Sequence, residues 1–383
     1  MPCHTNMELL RFKNCLIITG LMILLCCNIV YSAEVDVEVN TGAAYNSNVF
    51  RSFAEPEKDV YFTFAPKAAL KMPFNKAYFS TNLRAALEQH VNQTGADLQE
   101  LTFSGLGRYN ASDFISFGLQ DDFIVSGRLK SAESLSDVTE YREYMDNRAT
   151  SSFKYEFKAG VLTTSVGYSN AIRNYLSTDI DDWMVHTGRL QAEYSIGHKT
   201  LTQLSVNLIR KFYETDVDYI SIPIMASLKR NLSSKIDATF SVGLESRKYN
   251  EEYTDRNWNK PTVILDLKGK FSSKTTSRLV LHQKTFDSDV LNGYAFVSTA
   301  CDASLALNLS SNAQLSLQGI YSRNKYVEFD RKDDVYGGHT SLQYRFSKWG
   351  AFVLGYGYER RTSNITNITY NQHTMELYHT VLF

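Results

Sequence analysis

From Tyr219 to Arg247 the chain alternates with period two on both sides of a short polar turn. Ile220, Ile222, Ile224, Ala226 and Leu228 are apolar, and the residues between them, Ser221, Pro223, Met225, Ser227 and Lys229, are mostly polar or small. The turn falls at 231–235, after which Ile236, Ala238, Phe240, Val242 and Leu244 alternate with Asp237, Thr239, Ser241, Gly243 and Glu245. Successive side chains of a strand point to opposite faces, so this pattern predicts a β-hairpin with one apolar face. One hairpin is compatible with many folds. A chain that repeats it along nearly its whole length is compatible with few.

The repetition is visible in order. Val35, Val37 and Val39 alternate with Asp36, Glu38 and Asn40, and strands are then expected over 60–72, 78–88, 98–109 and 114–125. A long polar segment, 127–149, separates these from strands over 151–159, 161–175, 182–196 and 199–213. After the hairpin the pattern resumes over 262–271, 277–286, 294–309, 313–326, 335–346, 351–360 and 370–383. That makes about 18 strands (16–18), an even number within the range of bacterial outer-membrane barrels. The only candidate helix is 135–144, and no Pro/Gly/Ser linker divides the chain. Tyr (24) and Phe (22) are abundant and Pro (6) is scarce, as pleated surfaces with unbroken ladders require.

The connections alternate too. Tight polar turns at 73–76, near Gly160, and at 197–199, 233–235, 272–274, 311–312 and 347–349 take turns with longer, more charged loops. Those loops cover 52–59, 127–149, 250–259, 329–334 and 361–369. Short turns at one rim and long loops at the other are the asymmetry of an outer-membrane barrel, with both chain ends on the short-turn, periplasmic side.

In lipid no water satisfies backbone groups, so a spanning sheet must close on itself and its lipid and lumen faces must alternate. Val263, Leu265, Leu267 and Phe271 oppose Asp266, Lys268 and Lys270, and Phe153, Tyr155 and Phe157 oppose Lys154, Glu156 and Lys158. Charge is nearly confined to one parity, as the cost of about 2–4 kcal/mol for Arg or Lys at the midplane of the lipid face would select. Aromatics near strand ends, among them Tyr109, Tyr194, Trp349 and Tyr358, suit interfacial girdles. A soluble sandwich would need a second sheet to bury these faces, and a β-helix would show a short regular repeat. The expected fold is therefore all-β, a transmembrane antiparallel up-and-down barrel.

The first residues read as an export signal. Arg11 and Lys13 precede a short apolar core at 16–30, and small residues follow at Ser32 and Ala33. Met7 is an alternative start, and a lipoprotein reading of Cys26 or Cys27 is disfavoured by the residues before them. The expected division is a signal peptide over 1–33 and a barrel domain over 34–383. Only Cys301 remains beyond the presequence, which excludes an intramolecular disulfide in the mature chain. With 40 basic and 41 acidic residues there is no nucleic-acid footprint.

The chain ends Leu377-Tyr378-His379-Thr380-Val381-Leu382-Phe383. This resembles the terminal signal by which bacterial outer-membrane barrels are recognised by their assembly machinery, with Tyr378 standing where that signal usually has Gly. The segment Tyr45-Asn46-Ser47-Asn48-Val49-Phe50-Arg51 resembles the opening of the putative beta-barrel porin 2 families. That resemblance implies an outer-membrane barrel of a Gram-negative bacterium and suggests polysaccharide export. Its implied partners are outer-membrane lipid, the barrel-assembly machinery and periplasmic components of polysaccharide export. It supplies no catalytic residue, and Asn46 and Asn48 read as a turn cap ending the first strand.

On the inner parity the candidate wall carries Arg84, Arg108, Lys154, Lys158, Arg189, Lys211, Lys229, Arg247, Lys268, Lys270, Lys284 and Arg345. Against them stand Glu88, Glu156, Glu193, Asp237, Glu245, Asp266, Asp302 and Glu359. Rings of Lys and Arg favour anions in pores; equally, such charges pair across strands and hydrate the lumen. No catalytic, metal or cofactor motif is present, so no enzyme activity and no cofactor are expected. Two functions stay open: an outer-membrane pore for exopolysaccharide export or diffusion of anionic saccharides, or a non-conducting surface barrel whose extracellular loops bind a partner or ligand.

Overall fold

Alternation of β-branched and aromatic residues with small polar ones gives each segment one face for lipid and one for water, and the chain satisfies its backbone by pairing each strand with the next. The structure, a computed structural model, describes residues 33–383 apart from 54, 128–142, 158–160, 176–181, 215–216, 289–294, 328–329 and 366–367. Among the described residues the strands are β1 (Glu34–Asn46), β2 (Asp59–Pro73), β3 (Ala77–His90), β4 (Leu98–Asn110), β5 (Ile115–Ser126) and β6 (Tyr144–Phe157). Next come β7 (Leu162–Tyr175), β8 (Trp183–Ile196), β9 (Thr200–Tyr213), β10 (Tyr219–Ser233), β11 (Ile236–Tyr249) and β12 (Trp258–Lys270). The last are β13 (Thr275–Asp287), β14 (Ala295–Asn308), β15 (Ala313–Tyr326), β16 (Lys332–Ser347), β17 (Gly350–Ser363) and β18 (Tyr370–Leu382).

All 18 belong to one antiparallel sheet, and β1 pairs with both β2 and β18. The sheet has no edge. It is a closed up-and-down barrel, which removes the unpaired backbone groups an open sheet would expose to lipid.

The expected layout changes at its long loops: β12 begins at Trp258, β16 begins at Lys332 and β17 ends at Ser363, each inside a segment expected to be loop. The strand expected to begin at 151 begins at Tyr144, so 144–149 are ladder and not loop. Its alternation is hidden because Asp146 and Arg148 face inward while the polar Asn147 sits on the outward parity. The loops at 91–97 and 250–257 hold short 3₁₀ turns, Thr94–Ala96 and Glu251–Arg256. The expected signal peptide, the turn near Gly160 and most of the candidate helix at 135–144 lie outside the described residues.

The short turns share a device. In the turns after β4, β10, β12 and β16 a serine hydroxyl accepts the backbone N–H two residues on: Ser112 from Phe114, Ser233 from Lys235, Ser272 from Lys274 and Ser347 from Trp349. These side chains replace backbone partners in a reversal too tight to satisfy itself. In the turn after β8, Gly197 takes φ +65, a left-handed conformation that costs glycine nothing.

The two faces separate as lipid and lumen. Ile220, Ile222, Ile224 and Leu228 on β10 are exposed on one parity, as are Phe240, Val242 and Leu244 on β11. The opposite parity makes contacts that skip strands. Lys211 on β9 reaches Asp287, the last residue of β13, past β10, β11 and β12, although Asp287 shares the alternation of the exposed Leu281 on its own strand. Such a chord can cross only the interior, so this parity is the inner wall.

Candidate functional site: the inner wall and its collar

Where the upward strands end, the inner wall closes into an aromatic and cationic collar. The last residue of an upward strand and the first of the next downward strand are repeatedly aromatic: Tyr175 and Trp183, Tyr213 and Tyr219, Tyr249 and Trp258. Tyr213, Val217, Tyr219, Tyr249, Trp258 and Ala295 form one buried cluster. Cations sit on these rings. Arg173 lies 4.7 Å from the Tyr144 centroid and 5.1 Å from Trp183. Lys211 lies 4.7 Å from both Trp183 and Tyr213, and Arg247 lies 3.9 Å from Tyr219 and 4.7 Å from Trp258. Such contacts are worth about 2 kcal/mol when desolvated.

Carboxylates complete the collar. Asp287 accepts hydrogen bonds from Lys211 Nζ at 2.9 Å, Tyr219 Oη at 2.6 Å and Arg247 Nη1 at 2.7 Å. Arg247 also donates to Glu245 at 3.2 Å, which accepts from Ser221 Oγ at 2.7 Å. On the other side Asp333 is fully buried between Arg331 and Arg361, and Arg331 lies 4.5 Å from the Tyr326 ring. Buried charges persist where each is paired and hydrogen-bonded. This tier is structural.

A repeated loop closure holds the collar in place. The backbone N–H of the last residue of an upward strand is accepted by an Asp or Asn one residue before the following strand: His90 by Asp97, Tyr175 by Asp182, Tyr213 by Asp218 and Tyr249 by Asn257. The sequence signal is an Asp or Asn that immediately precedes the strand's opening residue, as in Asp182-Trp183, Asp218-Tyr219 and Asn257-Trp258. Reading loops by charge alone missed it.

The segment after β1 is a turn cap and a staple. Asn46 Oδ1 accepts the Asn48 N–H at 2.9 Å, and Asn48 Oδ1 accepts the Ser52 N–H at 2.9 Å. Asn48 Nδ2 donates to the Asn371 carbonyl at 3.2 Å and Gln372 Nε2 donates to Asn46 Oδ1 at 3.0 Å. Those bonds cross the β1–β18 seam at the loop rim.

Further toward the short turns the wall changes character. Arg84, Arg108, Lys154, Arg189, Lys229, Lys268, Lys270 and Arg345 are all exposed there. Lys154 pairs with Glu156 at 2.6 Å, Lys268 lies 3.8 Å from Asp266, and Arg189 Nε donates to Asn207 at 3.1 Å. Arg84, Arg108, Lys229, Lys270 and Arg345 make no ion pair with another described residue. The registers place every expected wall cation except Lys158, which lies outside the described residues, on the inner parity. Burial separates those cations into two extremes, with Lys284 intermediate between them. Lys211 and Arg247 are buried in the collar, 6% and 4% exposed, and are locked to Asp287. The exposed group meets the water of the lumen.

A family model described as Putative beta-barrel porin 2 matches residues 35–381. Solved structures share the fold at low identity. The chain is similar to Pseudomonas aeruginosa OccK2 (OpdF) in complex with glucuronate, at TM-score 0.54 and 9% identity over 92% of this chain and 98% of that one. It is similar to P. aeruginosa OpdK with vanillate, at TM-score 0.51 and 9% identity over 91% and 99%. It is also similar to a BenF-like porin from Pseudomonas fluorescens Pf-5, at TM-score 0.53 and 10% identity over 92% and 99%. No curated protein matches the chain.

Proposed function

The chain belongs to the Putative beta-barrel porin 2 family, and from that membership we propose that it is a pore of the Gram-negative outer membrane for anionic saccharides, serving exopolysaccharide export or diffusion. The observation that carries this reading is the lower inner wall of a closed 18-strand barrel, where exposed cations with no ion partner among the described residues line the path. Barrels of 16–18 strands leave an aqueous channel. Fixed cations in a low-dielectric wall raise the local concentration of anions. OccK2, with which the barrel shares its fold, was crystallised with glucuronate, a sugar acid. The expected signal peptide over 1–33 belongs to the same reading, since a barrel reaches the outer membrane only by export.

The collar supports a second reading. Its buried aromatics and the Lys211–Asp287 pair tie β9 to β13 at the loop side, which suits a barrel whose loops hold a partner or ligand and pass little current. Planar-bilayer recording with the purified barrel separates the two. A pore conducts and prefers anions, and an oligosaccharide of uronic acid blocks its current in a concentration-dependent way. Absence of current, with the folded barrel inserted, contradicts the pore.

A further inference from the structure

Two neighbouring strands of the inner wall together carry no charge along their middle. The inward residues of β15 from Gln314 to Asn324 and of β16 from Val335 to Gln343 include no Asp, Glu, Lys or Arg. The registers arrange them in rows across the sheet. Asn308, Gln314 and Gln343 form an amide row; Ser316 and Ser341 form a hydroxyl row above it; Ser304, Gln318 and His339 form the next. The side chains of Gln318, Gln343, Ser316 and Ser341 make no hydrogen bond with another described residue, so their donors and acceptors face the lumen uncommitted.

The wall is also hollowed here. Beside Ser341 and His339 the neighbouring strand has Gly355 and Gly357, whose missing side chains leave room that Glu376, 3.7 Å from His339, and Thr374 partly occupy. One concavity runs over Gln318, His339, Gly357, Thr374 and Gln372 toward Arg51 at the loop rim, where Arg51 pairs with Glu359 at 3.4 Å. A second shares Gln318 and runs over Ser316 and Ser304 to Lys268, Lys270 and Arg278 near the short turns. Together they make one groove along the wall, cationic at its foot, lined by amides and hydroxyls along β15 and β16, and flanked on its β17–β18 side by Glu359 and Glu376.

We propose that this groove on β14–β18 is a saccharide track. Gln343, Ser341, Ser316 and Gln318 exchange hydrogen bonds with sugar hydroxyls, and Lys270 at the foot takes the carboxylate of an acidic unit. Uncommitted amides offer both a donor and an acceptor, as sugar hydroxyls do, and a series of weak bonds lets a chain advance one unit at a time. The track rests on the reading of the barrel as a saccharide pore and adds to it a site and a ligand chemistry: polyhydroxylated units are held by the neutral sector whether or not they are charged.

The test is ion-current block by two probes, a linear glucose oligosaccharide and a galacturonic acid oligosaccharide of equal length, on the full-length barrel. The Gln318→Ala/Gln343→Ala variant is compared with Thr163→Ala/Ser165→Ala on β7, also inward by register but on the far side of the barrel. Removing amide bonds to ligand shortens the residence time of both sugars about tenfold or more, and the β7 variant does not reproduce the effect. Lys270→Gln shortens only the residence of the uronic acid probe. If residence times are equal in all variants, or if the glucose probe never blocks the wild type, the track is wrong while the pore stands. If no current flows, the pore reading fails, and saturation-transfer NMR on the detergent-solubilised barrel decides the track. Transfer to the glucose oligosaccharide that disappears in Gln318→Ala/Gln343→Ala keeps it, and no transfer to wild type overturns it.

Discussion

Tyr378 of β18 lies directly across the barrel seam from Gly42 of β1, with its ring over the glycine. A side-chain carbon built on Gly42 would overlap that ring and the Leu377 carbonyl. An aromatic covering a cross-strand glycine restores the packing and backbone protection that glycine lacks. This accounts for tyrosine where terminal barrel signals usually have glycine: the missing side chain is on the opposite strand.

The pair predicts a coupled phenotype. Gly42→Ala loses folded barrel on semi-native gels, Tyr378→Gly alone folds with reduced heat resistance, and the double variant recovers part of the loss. The coupling is on the order of 1–3 kcal/mol, as for residues in direct contact. Simple additivity would show that the seam does not depend on this pair.

Asp287 is the common acceptor of the collar, so its removal strands two buried cations. Breaking a buried pair costs about 3–5 kcal/mol. The lower end is expected here because the Asp287 side chain keeps 23% exposure. Asp287→Ala should lower the temperature at which the barrel loses its folded gel mobility, and Lys211→Gln should lower it less. An unchanged transition would mean the collar is not structural.

Selectivity should follow the exposed cations and not the buried ones. Lys270→Glu with Arg345→Glu shifts the reversal potential toward cations in a salt gradient while the barrel stays as heat-resistant as wild type. Lys211→Gln leaves selectivity near wild type despite its effect on stability. The reverse assignment would place the solute path at the collar.

The lipid face makes a separate prediction. Leu265 and Val242 are paired to strand neighbours on the outward parity, near mid-strand. Arg at either position should cost about 2–4 kcal/mol in urea unfolding from vesicles, whereas Arg at the inward Thr262 should cost little. Equal costs would put the wall and lipid faces in the wrong order.

These features were unequally legible in the sequence. Strand number, turn placement and the two faces are local properties of period two, so Ile220 to Leu244 declares its lipid side without any partner. The wall parity of Arg108, Lys229 and Arg345 follows in the same way. The collar depends on barrel stagger. Lys211, Tyr219, Arg247 and Asp287 meet only because strands far apart in sequence are curled around one interior, and nothing near Asp287 in the chain marks it as their acceptor. For the same reason the sequence treats Lys211 and Lys270 as equivalent wall charges, although one is buried and paired and the other is exposed. The start of β6 was obscured by a genuine conflict, since Asn147 places a polar group on the lipid parity and donates to Asp121 there at 3.1 Å.

The central claim is an open, anion-preferring pore, and single-barrel recording in a planar bilayer under a potassium chloride gradient tests it most directly. The account predicts steady conductance with a reversal potential on the chloride side, moved toward potassium by Lys270→Glu/Arg345→Glu. An inserted, folded barrel that carries no current, or one whose reversal potential favours potassium and ignores those substitutions, would contradict it.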